Sequence, residues 1–160
     1  MPWNYNRIAC FGVAAAFLLL TTAQSACQRT SYAREQRDLR ELDTLIDHIM
    51  TRPREEWPSL IEKAQQLPSP SPDIREVRDY CVAAYQKYAA ALDSLDRTKA
   101  QVAALEAAIE AQDRDAAQQH KRRAEAEMHQ TDAALDAAET HLRACAQQRD
   151  DLRTRIAAAR

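Results

Sequence analysis

The chain has 160 residues, one domain's worth, with a single glycine, 6% aromatic residues and 29% charged residues. That balance excludes an ordinary thick-cored globular domain and points to long helices. The 22 basic and 24 acidic residues are interspersed and leave a formal net charge of -2, which describes a solvated helical surface with no electrostatic footprint for nucleic acid.

Residues 1–26 read as an export signal: a polar start with Arg7, an uncharged apolar run from Ile8 to Leu20, then small and polar residues through Ala26. The run is shorter than the ~20 residues a spanning helix prefers, which favours a cleaved signal over an uncleaved anchor. Two processing routes compete. Cleavage after Ser25 leaves Ala23 and Ser25 where an ordinary signal peptidase reads small residues. Alternatively, Ser25-Ala26-Cys27 resembles the end of a bacterial lipoprotein signal, which implies lipidation of Cys27, although Gln24 stands where that signal carries Leu or a similar residue. Cysteine arithmetic favours the second route. Once Cys10 leaves with the signal, Cys27, Cys81 and Cys145 are an odd set, and lipid on Cys27 leaves the other two as a pair. The expected location is therefore periplasmic or outer-membrane, held to the membrane at the N-terminus. In the alternative, a soluble periplasmic or secreted protein, Cys27 is a spare thiol able to link two chains.

Residues 27–67 read as N-terminal helices. Thr30 or Ser31 is a suitable N-cap for a helix from Tyr32 to Thr51, in which Leu39, Leu42, Leu45, Ile46, Ile49 and Met50 form one apolar stripe that must be buried. Pro53 ends it. A shorter helix carries Trp57, Leu60, Ile61, Ala64 and Leu67, with Pro58 in its first turn. Residues 68–72, Pro-Ser-Pro-Ser-Pro, form a stiff extended connector, after which Asp73 caps a long arm.

Residues 73–160 carry the dominant pattern. Stepping alternately three and four residues from Ile74 meets Val77, Cys81, Ala84, Tyr88, Ala91, Leu95, Thr98, Val102, Leu105 and Ile109. A 3.5-residue repeat of this kind keeps one seam towards a partner helix. A weaker seam follows through Ala117, Lys121, Ala124, Met128, Thr131, Leu135, Ala138, Leu142, Cys145, Arg149, Leu152 and Ile156. Folding the two arms about a tip near Asp113 sets Cys81 opposite Cys145 and mostly pairs large residues with small ones, Tyr88 with Ala138 and Thr98 with Met128 among them. Two layers put Arg149 against Val77 and Lys121 against Leu105; there the stems are expected to lie on the seam and the charges to reach water. A straight helix dimerising with another copy competes with the hairpin, because no Gly or Pro marks a turn in this stretch.

The expected fold is all-α: a long antiparallel, coiled-coil-like helical hairpin with short N-terminal helices packed at its base. Chemistry is sparse. His120, His129 and His141 have no helix-local ligand spacing and read as solvent-facing, and Cys81 with Cys145 lacks the short spacing of zinc or redox motifs and reads as a structural disulfide. Tyr80, Tyr85 and Tyr88 are candidates for a ligand or partner surface, or else core at a helix junction. No catalytic residue, metal ligand or cofactor is named, and no enzyme is expected. The expected role is a structural or adaptor module for an envelope protein partner, with homo-oligomerisation a further option. A small-ligand or lipid-binding helical module is the alternative, as is, by architectural analogy, a phage-type envelope-spanning lysis component.

Overall fold

The computed structural model describes residues 32–158; the export signal, Cys27 and the capping candidates Thr30 and Ser31 lie outside the described residues. Among the described residues every element is helical and there is no strand. Helix α1 covers residues 32–51, and a 3₁₀ turn follows at Arg54–Glu56. Then come α2 (Trp57–Gln66), α3 (Pro72–Glu110) and α4 (Arg114–Ala158).

Local sequence explains where each helix stops. Proline cannot donate a backbone hydrogen bond, so α1 closes just before Pro53, with the Arg52 amide donating to the His48 carbonyl at 2.9 Å. The Trp57 indole donates to the Arg52 carbonyl at 3.1 Å and ties the following turn to that end. The Pro/Ser connector is pinned as well as stiff. Arg78 donates to the Leu67 carbonyl at 2.7 Å, Arg75 donates to the carbonyls of Ser69 and Pro70 at 3.0 Å each, and Ser69 donates to Asp38 of α1 at 3.2 Å. Helix α3 begins earlier than the sequence suggests. Ser71, not Asp73, holds the N-cap position, because Pro72 is pre-set for a first helical turn. Asp73 lies one residue inside, where its charge complements the helix dipole and meets Arg155 of α4 at 3.1 Å.

The turn between α3 and α4 needs neither Gly nor Pro. Gln112 takes a left-handed backbone (φ 59°), its amide donates to the Ile109 carbonyl, and the Asp113 amide reaches the Ala108 carbonyl at 3.0 Å. That pair of bonds is the Schellman closure of a helix C-terminus. Asp113 then caps α4 by accepting from the Ala116 amide at 3.0 Å. The long helices therefore fold back on each other as a hairpin, and Cys81 is joined to Cys145 with their Cα atoms 5.0 Å apart. The remaining contacts run in opposite order along the two helices: Asp73 with Arg155, Tyr80 with His141, Thr98 with Thr131, Gln101 with His120.

Helix α1 runs beside this hairpin from the end of α4 towards the middle of α3, as Asp43 with Arg153 and Arg54 with Asp93 and Asp96 record. Helix α2 returns, carrying Trp57 against Tyr88. The result is a four-helix base whose core includes Leu42, Ile46, Ile49, Ile74, Cys81 and Cys145. Beyond the base α3 and α4 continue alone as a stalk, residues 97–130, of about 20 Å at 1.5 Å per residue.

In the stalk the seam differs from the expected one. Val102, Ile109 and Met128 are 40%, 61% and 49% exposed, whereas Ala108, off the expected line, is buried; Ala124, on that line, is buried as expected. Thr98 meets Thr131, not Met128, with their hydroxyls 3.1 Å apart, and Ser94 joins the same layer at 2.8 Å. The cause is helical drift: a 3.6-residue helix departs from a strict seven-residue repeat by ~20° per heptad. Four heptads after Cys81 the expected line has rotated towards the flank at Ile109, and alanines take the closest approach.

Candidate functional site

Two parts of the molecule concentrate polar groups: the junction of α1 with α4, and the bridge across the hairpin near the disulfide. The first grows from a conflict in the sequence. Arg149 occupies an inward position of α4 and is only 9% exposed. Its charge does not reach water as expected. Instead its Nε donates to Asp43 Oδ1 at 2.7 Å, and its Nη2 lies 3.5 Å from Asp47. Arg153 holds the other Asp43 oxygen at 2.7 Å, so one carboxylate is shared by two guanidinium groups. The hydrogen bond to Asp43 raises the Arg153 pKa above its ordinary value. A buried cation needs a partner, and α1 supplies it because Asp43 sits between Leu39 and Leu42 on one side and Ile46 on the other, beside the buried stripe. The sequence signal was present as an arginine at a core position, but its partner lies 106 residues away.

The bridge involves a histidine expected to face solvent. His141 is half-buried, with Lys87 Nζ 2.7 Å from its Nε2 and the Tyr80 hydroxyl 3.1 Å from its Nδ1. An ammonium can only donate, so Nε2 accepts and Nδ1–H donates to the Tyr80 oxygen. His120 likewise donates to Gln101 Oε1 across the hairpin at 3.1 Å, while His129 is exposed as expected. Spacing along one helix could not reveal pairs made between two.

The three candidate tyrosines do not share a surface. Tyr80 faces His141 of α4, with ring centroids 5.9 Å apart. Tyr88 stacks on Trp57 of α2 at 5.8 Å. Tyr85 is buried, and that burial pushes its phenol above the ordinary value; nearby Arg149 opposes the shift and Asp47 adds to it. Between α1 and the end of α4 lies an open groove of about 290 Å³, floored by Leu39 and Ile156 and walled by Asp43 and Arg153. A second open groove, about 340 Å³, separates α2 from α3 near Ile61 and Ala89. Among the described residues no cluster of three or more His, Cys, Asp or Glu side chains is arranged to hold a metal ion, and no helix is long and apolar enough to cross a membrane.

Asp43 and Arg153 line the first groove, but they are paired with each other across it and so join α1 to α4. No family model matches the chain, and neither a curated protein nor a solved structure matches it.

Proposed function

We propose that the protein is an exported envelope component, lipid-anchored at Cys27, whose α3 and α4 pair as an antiparallel coiled coil serving as a structural or adaptor module for a protein partner. The observation that carries this reading is the division of one hairpin into a disulfide-joined, four-helix base and a thin stalk with exposed Val102, Ile109 and Met128. An enzyme or carrier concentrates its polar groups around a concave site. Here the ion pairs join one helix to another, and Tyr80, Tyr85 and Tyr88 each have different neighbours, which favours this reading over the ligand-binding alternative.

The test uses the full chain made in a bacterium, with metabolic fatty-acid labelling, intact mass and a photocrosslinker placed at Glu110 in the stalk or Glu55 in the base. Lipid lost in Cys27→Ser and envelope-protein adducts formed from Glu110 but not Glu55 are the expected results. A lipid-free chain with no adduct from either position overturns the reading.

A further inference from the structure

The stalk exposes a face that the base keeps covered. On α4, Met128 belongs to the same seven-residue series as Leu135, Leu142, Arg149 and Ile156, and in the base α1 lies against that series through Asp43. On α3 the corresponding series is Tyr88, Leu95, Val102 and Ile109; Tyr88 is covered by Trp57, and cover diminishes towards the tip. Helix α1 stops at residue 51, and the apolar face continues past it. The histidine contacts, Tyr80 with His141 and Gln101 with His120, lie on the opposite flank, so they do not occupy this face.

We propose that this face is covered by the same face of a second copy, inverted about a two-fold axis that crosses the stalk near Val102. Sterics select the inversion. A copy laid side by side in the same direction drives its base into the layer filled by α1 and α2, whereas an inverted copy lays its stalk where that layer ends. The sequence fits the inverted register. With Val102 meeting its own symmetry mate, exposed Ile109 falls on the half-buried Leu95 of the other copy, and Lys99 falls opposite Glu106. Taking the α3-to-α4 alignment from the Thr98–Thr131 contact carries the same axis to α4, where Lys121 falls opposite Asp132. Each of these ion pairs occurs twice by symmetry, as an isologous interface requires. Among the described residues Lys121 pairs with the exposed neighbour Glu125 at 3.9 Å and Lys99 with Asp96 at 3.7 Å, both loose pairs within one helix that leave the charges available to a partner. An overlap of roughly 20 Å by 20 Å, the length of the stalk, buries on the order of 800 Å² in total, below the usual size of specific interfaces, so the association is expected to be weak and concentration-dependent. The inference concerns the same stalk as the proposed adaptor role but requires neither export nor lipid.

Sedimentation of the full chain in mild detergent from about 1 to 200 μM tests it, with circular dichroism confirming that each variant folds. The expected result is a monomer–dimer equilibrium weakened at least tenfold by Val102→Glu, weakened by Lys99→Glu or Glu106→Lys alone, and restored when those two charge reversals are combined. Copies carrying Val102→Cys should oxidise to a dimer, and copies carrying Ile109→Cys should not, because inversion separates the two Ile109 positions. A monomer throughout the range, a dimer indifferent to Val102→Glu, or dimers through Ile109→Cys overturns the proposal. Loss of lipid at Cys27 would defeat the anchored reading and leave this result untouched.

Discussion

Base and stalk are made from the same two helices, yet one buries its apolar series and the other exposes it. The contrast is sharpest at two basic residues of α4. Arg149 is buried and paired with Asp43, while Lys121, four heptads earlier in the same series, is exposed and pairs with Glu125 of its own helix. The helix pair does not differ in kind at the two places. What differs is α1, which brings a leucine and isoleucine stripe and an acidic side chain to one half only. A two-helix pair rich in alanine buries little area per residue, so a third helix decides where a core exists.

The largest way to break this contrast is to cut the disulfide. Cys81 and Cys145 are separated by 64 residues, and closing a loop of that size stabilises the folded state by about 4 kcal/mol in the loop-entropy model. The double substitution Cys81→Ala, Cys145→Ala should lower the urea-unfolding free energy by that order, while reductant should affect the parent chain and not the variant. A loss below about 1 kcal/mol would mean that α1 and α2 alone hold the base.

Next in size is the ion pair. Arg149→Ala leaves Asp43 largely enclosed with only the half-exposed Arg153, and breaking such a pair from one side costs about 3 kcal/mol. Arg149→Met, which keeps the volume, together with Asp43→Leu should recover most of that loss, since the burden is an unpaired charge. Lys121→Met in the stalk should shift stability by less than about 0.5 kcal/mol, because its pair is exposed. Equal effects at both positions would erase the distinction between base and stalk.

These residues also show what was legible in sequence. Long helices, the breaks at Pro53 and the connector, and the Cys81–Cys145 register follow from local propensity and period, which a single sequence carries directly. The tip near Asp113, the cap of the next helix, is legible, but the left-handed form of Gln112 is not, because that conformation is signalled by Gly. Exposure of Ile109 and Met128 is not legible from the repeat alone, because a 3.6-residue helix takes a strict seven-residue line off the seam over several turns. Arg149 with Asp43 and Lys87 with His141 escaped for a common reason: each pair depends on which helices meet, and that information is tertiary.

A pH measurement sharpens the comparison from the base side alone. Burial raises the folded-state pKa of Tyr85, so the fold favours the neutral phenol. Its stabilising contribution is complete below the unfolded value, about 10, and is lost as pH rises through the raised folded value. The parent chain should therefore lose unfolding free energy more steeply above about pH 10 than Tyr85→Phe does. Parallel profiles would show that Tyr85 ionises without opening the base. The stalk contains no tyrosine, so any alkaline loss common to both proteins comes from other groups.

The smallest expected effect is a gain, and it belongs to the stalk. Gln112 holds φ at 59°, a conformation that costs a residue with a Cβ about 1 kcal/mol and costs glycine little. Glycine also has more freedom to lose from the unfolded chain, which offsets part of the benefit. Gln112→Gly should thus stabilise the hairpin by roughly 0.5 kcal/mol, read as slower hydrogen exchange at the Asp113 and Ala116 amides that close the turn and cap α4. Exchange in the base should stay unchanged, because the disulfide and α1 hold it independently of the tip. If protection rises instead at Cys81 and Cys145, the two regions unfold as one unit and stalk and base are a single cooperative body.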